Sequence, residues 1–213
     1  MLIAHMTNNE IPDIVIGRLP LYLRALNRMM QSGQEITSSH DLGERLGISS
    51  AQIRKDLSHF GEFGKQGTGY KVAFLSEQLQ RILHVAREWK IALVGAGDLG
   101  RALAGYAGFS DRGFLIAAVF DSDPAKVGQQ IKSLEIQDIS TLSEKISELG
   151  IRMAMLAVPA ADAQQVADHL VEAGIEAILN YAPVNITVPD GVRVQYIDPV
   201  THLQRMTYYL ADD

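Results

Sequence analysis

Ile91-Ala92-Leu93-Val94-Gly95-Ala96-Gly97-Asp98-Leu99-Gly100 is an apolar run leading directly into a Gly-x-Gly-x-x-Gly turn. A short apolar run of this kind reads as a buried strand, and the glycines after it as a turn that opens a helix. In such a turn Gly95 suits the tight bend, Gly97 lets backbone approach a pyrophosphate, and Gly100 lets helix and strand pack closely. The start of the helix presents free N–H groups and partial positive charge to phosphates. Asp121 ends the next apolar run, 21 residues past Gly100. A carboxylate there accepts hydrogen bonds from an adenosine ribose and repels a 2′-phosphate, so NAD(H) is expected rather than NADP(H). Asp98 departs from this logic, because its charge suits the helix dipole but opposes a pyrophosphate.

Beyond this turn the apolar runs continue to alternate with amphipathic stretches. Strands are expected at 91–95, 114–120, 152–158, 175–179 and 192–197, and helices at 98–108, 141–149 and 160–173. Thr141 and Glu144 have capping-box spacing, and Gly174 stops the third helix. Strands apolar throughout, separated by helices, predict a doubly wound parallel α/β sheet of Rossmann type. A last amphipathic helix, Pro199 to Leu210, carries Val200, Leu203, Met206 and Leu210 on one side. It follows a sheet already complete, so its apolar face calls for a partner subunit.

Upstream the periodicity is helical. Ile11, Ile14, Val15, Leu19, Leu23, Leu26 and Met30 recur every three or four positions, with Pro20 expected to kink or split the helix and Gly33 to end it. Ser38 with Asp41, then Ser49 with Gln52, have capping spacing and start two short helices separated by a turn at Gly47. This is a helix-turn-helix pattern. Gly61, Gly64, Gly67 and Gly69 with Lys65, Tyr70 and Lys71 suit a basic, twisted hairpin, a wing. Leu75 to Glu88 reads as a further helix leading to the second domain.

The chain has 213 residues, 47% hydrophobic and 21% charged, an ordinary globular composition. It has no cysteine, which excludes disulfides, a thiolate nucleophile and cysteine metal sites. No apolar run is long enough to span a membrane and residues 1–10 do not form a signal peptide, so a cytoplasmic location is expected. The net charge of −6 is unevenly distributed. Residues 1–89 carry ten Lys and Arg against nine acids, and residues 90–213 nine against sixteen. Between Arg45 and Lys71 five bases face two acids, so a polyanion partner is expected there and nowhere else.

On the third helix Ile53, Leu57 and Phe60 mark the buried stripe. That leaves Lys55 opposite, with Gln52, Ser58 and His59 to one flank and Arg54 to the other. Gln can read adenine, and Lys or Arg guanine or phosphate, in a major groove. Ser49 and Ser50 at the helix start can bond phosphate. Alone, Arg54 and Lys55 would read as a solvated face; the helix-turn-helix and the basic hairpin favour DNA. The six histidines show no metal spacing, so no metal is expected. Trp89, before the first strand, reads as packing between domains, Tyr106 and Tyr181 as core, and Arg18 as a surface charge.

The chain resembles the Rex redox-sensing transcriptional repressors from Ile11 to Leu210. The resemblance rests on Ile11-Pro12, Arg18-Leu19-Pro20-x-Tyr22, Ala51 to Ser58, Gly61-Glu62-Phe63-Gly64-Lys65, Gly69-Tyr70 and Gly95-Ala96-Gly97. It rests also on Phe120-Asp121-x-Asp123-Pro124-x-Lys126-Val127-Gly128 and Asn180-Tyr181-Ala182-Pro183-Val184. It implies a homodimer with a winged-helix domain, a Rossmann domain binding NAD(H), and a C-terminal helix swapped onto the partner. Such a dimer would bind a palindromic operator and leave it when NADH binds. The implied dinucleotide contacts are Gly95, Ala96, Gly97, Asp98, Leu99, Gly100, Asp121, Lys126 and Val158, with Pro159, Pro183 and Val184 at the nicotinamide. The implied DNA contacts are Ser49, Ser50, Gln52, Arg54, Lys55, Ser58, Lys65 and Tyr70. Arg18, Tyr106 and Asp198 fall at the family's switch contacts, with Asp198 reaching Arg18 of the partner in one state. The family usually has Asn where this chain has Asp98, and Arg where it has Gln66.

The expected division is 1–78 for the winged helix, with a linker helix beginning near 75, then 79–198 for the Rossmann domain and 199–213 for the dimerisation helix. Two other readings compete. A small NAD-dependent dehydrogenase needs a substrate domain and an acid or base at the nicotinamide, yet only seventeen residues follow Tyr196 and no His or Lys stands out near the strand ends. The expectation is therefore that the chain is not an enzyme. A CoA-binding module is disfavoured by Asp121 and by the winged helix.

Overall fold

The computed structural model describes residues 11–64 and 68–210, and the chain divides into two compact units, 1–87 and 88–213. The division falls nine residues beyond the expected 78, because the helix that was to link the domains packs within the first unit.

In the first unit, helix α1 (Asp13–Gln31) is continuous through Pro20, which neither splits nor ends it. Proline inside a helix costs about 3 kcal/mol. Leu19, Tyr22, Leu26 and Met29 on the same helix are each 0% exposed, and burying each contributes about 2 kcal/mol. The packing outweighs the lost N–H, and Pro20 itself faces solvent. Gly33, at φ +76°, follows the end of α1.

A two-residue strand β1 (Ile36–Thr37) precedes helix α2 (Ser39–Leu46) and helix α3 (Ser50–Ser58). The Ser38 hydroxyl accepts the Asp41 N–H at 3.1 Å, and the Ser49 hydroxyl accepts the Gln52 N–H at 3.2 Å. Each such cap is worth about 1 kcal/mol. The turn at Gly47, φ +67°, has a second requirement that spacing did not reveal. A Cβ on Gly43 would lie 2.4 Å from the Ile48 carbonyl oxygen, so the two helices meet over a glycine.

Strand β2 (Tyr70–Lys71) pairs antiparallel with β1, Ile36 opposite Lys71 and Thr37 opposite Tyr70. The expected hairpin within Gly61 to Val72 is therefore, among the described residues, a return strand laid against the segment before α2. Lys65, Gln66 and Gly67 lie outside the described residues. Helix α4 (Val72–Ile82) begins three residues before Leu75 and ends before Glu88, and it packs on α1 through Leu75 and Leu79.

The second unit is a seven-stranded sheet. Its elements in chain order are β3 (Trp89–Val94), α5 (Asp98–Gly105), β4 (Phe114–Asp121), β5 (Gln130–Ile131), β6 (Leu134–Asp138), α6 (Leu142–Leu149), β7 (Met153–Leu156), α7 (Ala163–Glu172), β8 (Ala177–Asn180), β9 (Arg193–Tyr196) and α8 (Pro199–Leu210). The spatial order is β5-β6-β4-β3-β7-β8-β9, all parallel except β5 on β6. Setting the edge strand β5 aside, this is the 3-2-1-4-5-6 order of a dinucleotide-binding sheet, whose switch point lies between β3 and β7.

All five expected strands are present; β5 and β6 are additional. Helices α5 and α7 are shorter than expected, and Trp89 belongs to β3 rather than preceding it. The capping box at α6 does not form: the Thr141 hydroxyl donates to the Asp138 carbonyl at 2.8 Å and leaves the helix start uncapped by a side chain. Apolar residues of β3, β4, β7 and β8 form clusters on both faces of the sheet. Helix α8 buries nothing: Val200, Leu203 and Met206 are between 55% and 58% exposed.

Candidate dinucleotide crevice and nucleic-acid interface

Backbone hydrogen bonds join the carboxyl ends of four adjacent strands. The Gly95 N–H donates to the Phe120 carbonyl at 2.8 Å, Ala157 to Val94 at 2.8 Å and Tyr181 to Leu156 at 2.9 Å. The three glycines of the turn have distinct geometries. Gly95 takes φ +100°, and a Cβ there would lie 2.3 Å from the Ala157 carbonyl oxygen and 3.1 Å from the Val158 side chain. A Cβ on Gly100 would lie 1.8 Å from the Gly95 carbonyl oxygen, whereas one on Gly97 would have nothing within 4 Å. Gly95 and Gly100 are thus required by the protein's own packing. Gly97 keeps a space open at the start of α5, where a phosphate can meet free N–H groups.

Asp121 is 7% exposed. Its Oδ2 accepts the Ala96 N–H at 2.7 Å and its Oδ1 accepts the Asp123 N–H at 2.9 Å. The Lys126 ammonium lies 3.1 Å from Oδ2 and 3.7 Å from the Asp123 carboxylate. Burial pushes the Asp121 carboxyl up, but the two backbone N–H groups and Lys126 more than offset it and hold the carboxyl below its usual range. The carboxylate is charged at neutral pH and already braces the glycine turn. A ribose hydroxyl would share the lone pair that Lys126 now uses. Lys126, one of the expected dinucleotide contacts, lies in the loop after β4, and its charge is engaged by these two carboxylates.

The remaining expected contacts lie around the same edge. Asp98 and Leu99 are exposed in the first turn of α5. Val158 abuts Gly95, and Pro159 follows it in the loop after β7. Pro183 and Val184 lie on the loop after β8, Val184 39% exposed. These residues fit a dinucleotide: an open space at a helix start, a charged acid at the end of the second strand, and apolar side chains after β7 and β8.

In the first unit the exposed side of α3 presents Arg54, Lys55 and Ser58, as its buried stripe requires. Arg54, Ser58 and Tyr70 line one groove of about 830 Å³ together with Ser38, Ser39 and Glu62. The Arg54 guanidinium donates to the Ser39 hydroxyl at 3.0 Å. Gln52 turns the other way and donates to Asp56 at 2.7 Å. Ser49 is occupied as the cap of α3, and Ser50 begins the helix.

Asp56 is the residue that sequence reading missed. It is 0% exposed. Its two oxygens accept the Arg18 guanidinium at 2.5 and 2.7 Å, and Oδ2 accepts the Tyr22 hydroxyl at 2.6 Å. Burial pushes this carboxyl up, but the bonds from Arg18, Tyr22 and Gln52 prevail and hold it below its usual range. Burial and the bond to Asp56 push the Tyr22 hydroxyl well above its usual value. The available signal was the place of Asp56 between Ile53 and Leu57, an acid on the buried stripe that needs a partner.

Arg18 is accordingly not a surface charge: its side chain is 19% exposed and tied to Asp56. Tyr106 is not core: it is 56% exposed and meets Phe109 edge to face at 5.2 Å. The Asp198 carboxylate accepts the Val200 N–H at 2.9 Å and so caps α8. Each of these three has a partner in its own unit. Among the described residues no cluster of three or more His, Asp or Glu could hold a metal, and no helix is long and apolar enough to cross a membrane.

Residues 86–184 match the family model of the CoA binding domain, and residues 10–58 that of the "Putative DNA-binding protein N-terminus". The redox-sensing transcriptional repressor Rex of Roseiflexus sp. is 55% identical over 96% of this chain and 93% of its own length. Rex of Desulforamulus reducens is 43% identical over 95% and 96%. Among solved structures, RSP in complex with β-NAD+ and operator DNA matches with a TM-score of 0.90 at 37% identity, over 94% of this chain and 92% of that one. RSP in complex with β-NADH matches with a TM-score of 0.87 at 35% identity, over 95% of each. Relatives named as repressors, similar over nearly their whole length, decide against the dehydrogenase reading. The chain belongs to the Rex family of redox-sensing transcriptional repressors.

Proposed function

We propose that this chain acts in the cytoplasm as a homodimer that holds a palindromic operator through α3 and the basic segment after it, and releases it when NADH occupies the crevice beyond β3 and β4. The observation that carries this reading is the Asp121 carboxylate, charged and hydrogen-bonded to the Ala96 N–H, beside the open space at Gly97. NADH would lie with its pyrophosphate at Gly97 and the start of α5, its adenosine ribose at Asp121, and its nicotinamide toward Val158, Pro159, Pro183 and Val184. Those apolar side chains offer no counter-charge to the oxidised ring, which favours the neutral reduced one. The exposed apolar side of α8 is covered by the partner subunit, as in a swapped helix. Arg18, Tyr106 and Asp198 are the residues whose pairing differs between the two states.

The energetics are attainable. Driving a population from 1:99 to 99:1 takes about 5.5 kcal/mol of differential affinity, so each of two sites in a dimer must supply about half. On DNA, Lys55 and Arg54 meet phosphate or guanine, and Ser58, Ser49, Ser50, Lys65 and Tyr70 phosphate. Two half-sites should lie one or more helical turns apart.

The test is reciprocity: NADH affinity is measured by calorimetry for the free protein and for protein saturated with a palindromic duplex, with hydride turnover assayed alongside. The duplex must weaken NADH binding by the factor by which NADH weakens the duplex. Equal NADH affinity in both cases, or steady turnover with a small carbonyl substrate, contradicts the proposal.

A further inference from the structure

Among the described residues only two buried polar side chains occur in the second unit, Asp121 and Asn180, and both end a strand of the sheet. Asp121 braces the glycine turn. Asn180 does the corresponding work two strands beyond β3. It is 0% exposed, its amide nitrogen donates to the Val184 carbonyl at 2.9 Å, and its amide oxygen accepts the Ala182 N–H at 2.8 Å. The side chain thus closes a ring around Pro183, fixing the backbone on both sides of it.

Two further side chains hold the same segment. The Tyr196 hydroxyl, from β9, accepts the Ile186 N–H at 3.2 Å and donates to the Ile186 carbonyl at 3.1 Å. The Gln164 amide, from α7, donates to the Thr187 carbonyl at 2.9 Å and accepts the Thr187 N–H at 2.8 Å. Ala182 and Ile186 are buried beneath it. A segment without helix or strand therefore has its backbone read by side chains at residues 182, 184, 186 and 187. Backbone groups held this way lose the freedom that loops ordinarily keep.

We infer that Asn180, with Tyr196 and Gln164, is a positioning residue that fixes Pro183 and Val184 as a rigid wall for the nicotinamide, and so sets the preference for NADH over NAD+. The inference rests on the cofactor reading proposed above. A fixed wall discriminates between a planar charged ring and a puckered neutral one because it cannot move to suit both. A mobile loop would adapt to either and lose the distinction.

The experiment uses three ligands on the full chain: NADH, NAD+ and ADP, the last carrying the adenosine and pyrophosphate but no nicotinamide. Affinities are measured by calorimetry for the wild type and for Asn180→Ser, Tyr196→Phe and Gln164→Ala. The last two lie at less buried positions and keep the test available if Asn180→Ser does not fold. Each variant should bind ADP within about twofold of the wild type, lose about tenfold for NADH, and bring the NADH and NAD+ affinities closer together. Equal losses for ADP and NADH would mean a merely structural role and overturn the inference, as would an unchanged ratio of NADH to NAD+. A wild type that binds ADP but neither nicotinamide nucleotide would instead overturn the underlying cofactor reading.

Discussion

The carboxylate of Asp121 accepts the backbone N–H of Ala96 at 2.7 Å, so the acid expected to receive the ribose also holds the turn expected to receive the phosphates. Asp121→Asn keeps an acceptor for Ala96 but removes the charge that repels a 2′-phosphate and leaves Lys126 without it. Asp121→Ala removes both. Discrimination against NADPH should fall in both variants, while NADH binding should weaken by about tenfold or more only in Asp121→Ala. Fluorescence titration with both nucleotides checks this, and unchanged selectivity in both refutes the role.

The three glycines should separate by readout. Gly97→Ala meets nothing in the protein, so thermal unfolding should be unchanged while dinucleotide binding falls by at least about tenfold. Gly100→Ala would place a methyl 1.8 Å from the Gly95 carbonyl oxygen and should cost about 3 kcal/mol or more of stability by overpacking. Calorimetric melting of both variants, with NADH titration of the first, measures the contrast.

Asp98 stands exposed in the first turn of α5, beside the space left by Gly97. Asp98→Asn removes a like charge from the phosphate site, and for an exposed, water-screened pair that is worth about 1 kcal/mol, so NADH should bind about fivefold tighter at low salt. The gain should shrink as salt rises. Equal affinity of variant and wild type at low salt would remove Asp98 from the site.

Asp56 gives the first unit a definite acid response. Its carboxyl is held below the unfolded value of about 3.9. The stability it contributes is complete above that pH and is lost as pH falls through its folded value. Asp56→Asn leaves the Arg18 charge without its partner and should cost about 3 kcal/mol at neutral pH. The difference between wild type and variant should narrow below about pH 4. Melting curves between pH 2.5 and 7 decide it, and parallel losses across the range would contradict the role.

Much of this protein is legible in its sequence because the informative residues are neighbours in the chain. The run Ile91 to Gly100 gives strand, turn and helix from adjacent residues, and Ser38 and Ser49 announce their helices within one turn. What was not legible depends on partners far apart. Arg18 and Asp56 are 38 residues apart, and nothing local distinguishes Arg18 from a solvated base. Strand β1 pairs with β2 over two residues only, too short for any pattern to register. Strands β5 and β6 fall in a stretch with Gln129, Gln130, Lys132, Glu135 and Gln137, whose polarity suits a sheet edge and hides the apolar alternation. Pro20 misled because the rule for proline is local, and the burial that overrides it is not.

Fluorescence anisotropy of a labelled palindromic duplex, titrated with the protein at fixed salt without nucleotide, with NAD+ and with NADH, measures the coupling between crevice and reading head. NADH should weaken the duplex affinity by at least about a hundredfold, NAD+ should have little effect, and Gly97→Ala should remove the response to NADH while leaving DNA binding intact. Duplex affinity equal under all three conditions would contradict the coupling.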